Sequence, residues 1–228
     1  MPLAKLEIYN NKSWINLNKL YPAEGLVGWW AFDEGAGITA YDHSKNKNHG
    51  TLINMTDEDW VDGVVGKALE FDGGVTNEYV SIPDAASLRF GTSDFSIGAF
   101  IKAGVDLSFH RGIYCKGGGI TEGTFAFYLD KLSGFLRFFT GGTVILDGTI
   151  ALNDNKLHYI QVIRSGNSLS FYVDSVLDTT TEAGMAGIDL NTAADVFIGW
   201  RDVSRFFLGL IDEVRVYNRA LVLSEIKA

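Results

Sequence analysis

A chain of 228 residues, 46% hydrophobic and 13% aromatic, has the material for one large sandwich-type core or two small domains. Twenty-six glycines against three prolines point to many tight turns and against a disordered linker. The formal charge of −9, with no basic run denser than Lys45 and Lys47, argues against a nucleic-acid partner, which needs a basic stripe to release counterions.

Acidity also serves solubility, or it supplies carboxylates for a hard cation such as Ca²⁺. Cys115 is the only cysteine, so no intrachain disulfide forms; it sits in a strand-like run and reads as a small buried hydrophobe. No window approaches 18 uninterrupted apolar residues, and no charged-then-apolar leader is visible. Membrane insertion is therefore not expected, and production in the cytoplasm is.

In chain order, residues 1–24 differ from the rest. Leu3 to Trp14 alternates loosely, and Pro22-Ala-Glu-Gly forms an opening turn. These residues are read as an attachment or oligomerisation segment ahead of a single domain over residues 25–228. Leu26 to Phe32 is an apolar, aromatic strand broken by Asp33-Glu-Gly-Ala-Gly. Asp94 to Lys102 mixes small and large residues as a packed strand does. Thr124 to Asp130 and Gly134 to Thr140 form a hairpin around Lys131-Leu-Ser-Gly. Leu157 to Arg164 alternates, with Tyr159, Gln161 and Ile163 on one face and His158, Ile160 and Val162 on the other. Ser165-Gly-Asn-Ser turns it into Leu169 to Val173.

Gly209 to Ala220 places Ile211, Val214 and Val216 among Asp212, Glu213, Arg215 and Arg219. Four charges in a strand must be paired or face solvent, so this strand has a wet face or an organised polar end. Leu221 to Lys227 is predicted as a short terminal helix. Strands at intervals of roughly 8–12 residues with almost no helical periodicity give the expected class: all-β, an antiparallel sandwich with a short C-terminal helix.

Four segments carry a family resemblance. Leu26-Val-Gly-Trp-Trp-Ala-Phe-Asp-Glu-Gly-Ala-Gly with Asp42-His-Ser-Lys-Asn-Lys-Asn-His-Gly is similar to the opening strand and turn of laminin-G-like domains of the concanavalin-type lectin and glucanase fold. Lys67-Ala-Leu-Glu-Phe-Asp-Gly resembles the next landmark. Leu157-His-Tyr-Ile-Gln-Val with Leu169-Ser-Phe-Tyr-Val-Asp resembles the central hairpin, and Gly209 to Ala220 the terminal strand. Leu157 and Ser175 depart from the family pattern, where Trp and a turn Gly are usual. The resemblance implies a jelly roll of two curved sheets with its first and last strands side by side. It also implies a non-catalytic adhesion or carbohydrate-binding module, often with a bound Ca²⁺.

The acidic residues in these landmarks, Asp33, Glu34, Asp42, Asp72 and Asp212, are the candidate calcium ligands, a shell assembled from distant segments because EF-hand spacing is absent. In the alternative reading, Asp42 and Asp72 cap turns while Asp212 pairs with Arg215 or Arg219. Trp60, within Asp57-Glu-Asp-Trp-Val-Asp62, is a candidate platform for a sugar ring, or else folds back onto the sandwich. Trp200, Arg201 and Asp202 form the second ligand candidate, with a stacking group and both signs of charge. Gly117-Gly-Gly lacks phosphate-loop spacing, and the four histidines lack zinc spacing. The Glu-x-Asp-x-x-Glu string common in glucanases of this fold is absent, so no catalytic residues are expected.

The expected function is a glycan-binding adhesin with a structural calcium ion, met on a glycosylated surface outside the cell or displayed on a virion or other multivalent assembly. Residues 1–24 would supply oligomerisation or attachment. The rival reading is a structural or decoration protein that binds a protein partner; a polysaccharide hydrolase is the third.

Overall fold

The computed structural model describes residues 7–10, 13–16, 22–106, 108–118 and 121–226. Strands β1 (Glu7–Asn10) and β2 (Ser13–Asn16) pair with each other. The rest of residues 1–21 lies outside the described residues, and with it most of the expected attachment segment 1–24. The main body begins with β3 (Leu26–Trp30), β4 (Thr39–Ala40), β5 (Gly50–Ile53), β6 (Trp60–Asp62), β7 (Lys67–Asp72) and β8 (Tyr79–Ile82). It continues through β9 (Phe95–Ala103), β10 (Arg111–Lys116), β11 (Phe125–Leu129), β12 (Leu136–Thr140) and β13 (Thr143–Asp147). The last strands are β14 (Leu157–Ser165), β15 (Ser168–Val173), β16 (Val176–Thr181), β17 (Val196–Ile198) and β18 (Leu208–Tyr217).

These strands build two antiparallel sheets packed as a jelly-roll sandwich. One runs β16-β15-β14-β9-β18-β7-β6, with β3 also paired to β18. The other runs β13-β12-β11-β10-β17-β8-β5-β4. Period-two alternation decides which side chains meet between them. From the first sheet come Phe95, Ile97, Ile160, Val162, Phe171, Ile211, Val214 and Val216; from the second come Tyr114, Phe125, Phe127, Phe138, Val80 and Ile198, all in one buried cluster. Rings interlock across the layers, Phe95 against Phe138 at 5.9 Å and Phe127 against Phe171 at 5.7 Å between centroids. Each fully buried ring contributes roughly 1.5–3 kcal/mol, so this aromatic seam is a large part of the core's stabilisation.

The first and last strands of the sandwich do lie side by side, Val214 opposite Trp30 and Arg215 opposite Trp29. The alternation expected for β14 also holds: Ile160 and Val162 face the core, and Tyr159, Gln161 and Ile163 the other side. Ser175 has φ of +70°, which explains why glycine is usual at that turn.

Among the described residues the predicted C-terminal helix is not formed: residues 221–222 are irregular and 223–226 turn or bend, while Lys227 lies outside the described residues. A segment this short cannot repay helix nucleation by itself. Leu221 and Ile226 are instead buried beside Ile163 and Tyr217, and Glu225 is held by both guanidinium nitrogens of Arg219 at 2.8 Å.

At the end of β10, Lys116 is fully buried, and its ammonium donates to Asp84 Oδ1 at 2.8 Å and to the Ala194 carbonyl at 2.7 Å. Arg89 and then Lys116 hold the Asp84 carboxyl down at about 2. Asp84→Ala is therefore expected to strand a buried ammonium and cost about 3 kcal/mol, measured by urea unfolding. A loss below about 1 kcal/mol, the range of exposed ion pairs, would show that the pair is effectively solvated.

Candidate functional site

The predicted calcium ligands are dispersed. Asp42 is buried and accepts four hydrogen bonds, from the backbone N–H of Trp29, Ser44 and Asn48 and from the Ser44 hydroxyl, at 2.7–2.9 Å. It staples the 42–48 turn to β3. Asp72 does the same for the 72–76 turn, accepting from the N–H of Gly74, Val75 and Thr76 and from the Thr76 hydroxyl. Burial pushes the Asp72 carboxyl up, but these hydrogen bonds outweigh it and hold the group below the usual range. Asp33 accepts from Lys67 N–H at 2.8 Å, and Glu34 from Tyr41 N–H at 2.8 Å. The five therefore do not fit one calcium shell, and among the described residues no three His, Cys, Asp or Glu side chains converge to hold a metal ion.

Asp212 pairs with neither Arg215 nor Arg219. Arg215 is bonded to Glu213, and Arg219 to Glu225. Between Asp212 and Arg215 the ladder of β18 against β9 slips, and Glu213 takes a left-handed φ of +54°. This bulge turns Asp212 inward beneath the turn at residues 63–66, where its Oδ2 accepts from Val64 N–H at 2.8 Å. Burial, with Glu213 adding to it, pushes its carboxyl up to about 7. Glu213 is likewise pushed up by burial, against Arg215 and the Trp29 indole N–H that donates to it at 2.8 Å.

Of the ligand candidates, Trp60 is not available for stacking: it is a core residue whose Nε1–H reaches the Gly37 carbonyl at 3.2 Å. Arg201 is also withdrawn from solvent. Its guanidinium lies 4.3 Å from the Tyr128 ring centre and 4.6 Å from that of Phe139. Asp202, nearly buried, is bonded to Arg205 and lies 3.5 Å from Arg201. The loop carrying them crosses the outer face of the second sheet so closely that a Cβ at Gly112 would lie 2.5 Å from Arg201 N, which requires glycine there.

Trp200 is different. It is half-buried on the outer face, 5.0 Å from Tyr79, 4.6 Å from Phe197 and 6.1 Å from Phe206, ring centre to ring centre. Tyr79, Phe197 and Trp200, each half-buried, make an aromatic platform packed over Phe206, which is itself buried. A separate cleft of about 540 Å³, whose lining includes none of these rings, is formed by Asp59, Glu70, Asp72, Glu78, Asp106 and Asn155 over Phe71, Val105 and Leu208. The turn at residues 72–78 joins the two features: Asp72 and Glu78 line the cleft, Tyr79 follows, and Gly74 packs on Phe206. Arg111, itself buried, ties the rim by donating to Asp106 and to the carbonyls of Gly73 and Phe206 at 2.8–3.2 Å.

Tyr79, Phe206, Glu70, Glu78, Asp106 and Asn155 carry no local motif in sequence; only the meeting of their turns groups them. Burial pushes the Glu78 carboxyl up, yet its oxygens accept from Asp72 N–H and the Thr76 hydroxyl, both at 2.8 Å. Asp106 is held below the ordinary range, first by the Ser108 hydroxyl and its backbone N–H, then by Arg111. The cleft thus presents hydrogen-bond acceptors beside a ring-stacking surface.

Comparison with known proteins now places the chain. Residues 72–227 match the model of the concanavalin A-like lectin/glucanases superfamily, and the chain belongs to that family. Among solved structures it is similar to domain 4 of AbnA, an extracellular arabinanase of the GH43 class from Geobacillus stearothermophilus, in complex with arabinotriose. Identity is 19% and TM-score 0.70, over 88% of this chain and 96% of that one. It is also similar to the binding domain of Paraclostridial Mosquitocidal Protein 1, with 14% identity and TM-score 0.69 over 89% of this chain and 51% of that one. A Trypanosoma rangeli sialidase aligns at 18% identity and TM-score 0.64, with 89% of this chain and 32% of that chain covered. The chain thus spans about half of the mosquitocidal structure and about a third of the sialidase. No curated protein matches.

Two outcomes test this site chemistry. A folded-state carboxyl near 7 stabilises the fold fully below its unfolded value near 3.8, and that contribution is lost as pH rises towards 7. Asp212→Asn is therefore expected to remove a loss of up to about 4 kcal/mol between pH 4 and pH 7, seen by urea unfolding at both pH values. A variant with the parent's slope would refute the assignment. Separately, EDTA is expected to leave the thermal midpoint unchanged, since Asp42 and Asp72 are already saturated by protein donors; a clear drop, with one metal per chain, would restore the calcium site.

Proposed function

We propose that this chain is a non-catalytic glycan-binding module whose ligand lies across the aromatic platform and the adjoining cleft. The observation that carries the reading is the pair Tyr79 and Trp200, packed over Phe206 and linked through the 72–78 turn to a carboxylate-lined cleft of about 540 Å³. Sugar rings present a C–H face that stacks on aromatic rings, and their hydroxyls need acceptors at the edge of the stack. The family, and a sugar complex of a neighbour of the same size, support this reading.

The carboxylates of the cleft suit recognition better than hydrolysis. A glycosidase needs one carboxyl free to deliver a proton and a second free to attack or activate water. Asp72 and Glu78 are engaged by turn N–H groups and the Thr76 hydroxyl, and Asp106 by Ser108 and Arg111. Shallow stacking of this kind gives weak single-site affinity, and display in several copies, as on a virion surface or another multivalent assembly, would multiply it. Residues 1–24 are the segment we assign to that attachment.

A glycan array followed by calorimetry on the best hit tests the reading. The expected Kd is on the order of 0.1–1 mM, with no turnover of the ligand. Trp200→Ala should weaken binding about tenfold, the loss of roughly 1.4 kcal/mol of stacking, while the midpoint of unfolding stays that of a folded protein. Absence of any glycan hit, with retention of a protein partner, would favour the structural reading instead.

A further inference from the structure

The charge of the cleft assigns the class of glycan, an inference that rests on the reading that cleft and platform together hold sugar. Among the described residues five carboxylates line it, Asp59, Glu70, Asp72, Glu78 and Asp106, and no lysine or arginine does. The guanidinium of Arg111 is behind the rim, its two terminal nitrogens donating to Asp106 and to the carbonyls of Gly73, Asp106 and Phe206 while its Nε–H is buried without a partner. Asp72 and Asp106 are both held below the ordinary carboxylate range, so they are ionised at neutral pH. Among the described residues no three acidic or histidine side chains converge as a metal group, and the charge lies along the wall of the cleft. It therefore faces whatever enters the cleft, in a chain that carries −9 overall.

We infer that the site takes non-acidic glycans, neutral or amino-sugar, and rejects sialylated, uronic and sulfated ones. A neutral sugar offers only hydroxyl and amide donors, which oxygens of Glu70, Asp59 and Asn155 accept. An amino sugar adds an ammonium whose attraction to the lining is worth more than a hydroxyl bond. An acidic sugar brings a like charge into a partly enclosed space, where screening is weaker than at open surface. Likeness to a sialidase fold alone would have suggested the opposite preference.

The test uses the full chain on an array that spans neutral, amino and acidic glycans, followed by calorimetry on a glucosamine oligomer, its N-acetylated form and a uronic-acid oligomer of equal length. At low salt the uronate is expected to bind at least tenfold more weakly than either of the others, and the gap should shrink at high salt. Glu70→Gln, an exposed change at the rim, should raise the uronate's affinity several-fold and lower that of the glucosamine oligomer. Acidic glycans bound as tightly as neutral ones would overturn this inference and leave the glycan-binding reading standing. No binding to any member of the array would overturn both.

Discussion

The structure depends on how β18 is held. Ten residues, Leu208 to Tyr217, pair with β9 along one edge and with β7 and then β3 along the other. That strand joins the last part of the chain to the first and closes the sandwich. It carries more charge than a central strand tolerates, and the bulge at Glu213 resolves the conflict. By slipping the register it sends Ile211, Val214 and Val216 to the core while Glu213 meets Arg215 and the Trp29 indole. A regular strand would have driven alternate charges into the apolar layer, at a cost that no single hydrogen bond offsets.

The candidate site follows from the same strand. The loop that precedes it, from Gly199 to Phe207, must return to β18 across the outer face of the second sheet. Arg201 clamps that loop between Tyr128 and Phe139, and Arg111 ties Phe206 to the 72–76 turn. With the loop so fixed, Trp200 has nowhere to stand except among Tyr79, Phe197 and Phe206. Leu208 and Gly209, the first residues of β18, then lie in the wall of the cleft. The two arginines are thus positioning groups for a surface made by others.

Alternation of side chains made the sandwich legible: the faces of β14 and the hairpin of β11 with β12 are as the residues indicate, because period two is a local property of the strand. The bland roles of Asp42 and Asp72 as turn caps were equally visible, since an aspartate binds its own turn. For Trp60 and Arg201 the residues left a surface role and a packed one both open, for one reason. Whether a large side chain beside a charged loop faces inward depends on which sheet lies beneath it, and no neighbour in sequence records that. The terminal helix failed similarly, because packing of Leu221 and Ile226 against Tyr217 outweighed a weak local propensity.

The sequence by itself determined the class of fold, the order of its landmarks and the need for paired or solvated charges in the last strand. These are properties of spacing and residue type, and they survive whatever the chain packs against. Only the tertiary structure decided that Tyr79 and Phe206 join Trp200, that five scattered carboxylates face one cleft, and that Asp212 turns inward. Those facts arise from contacts across sheets and loops, where separation along the chain bears no relation to distance in space.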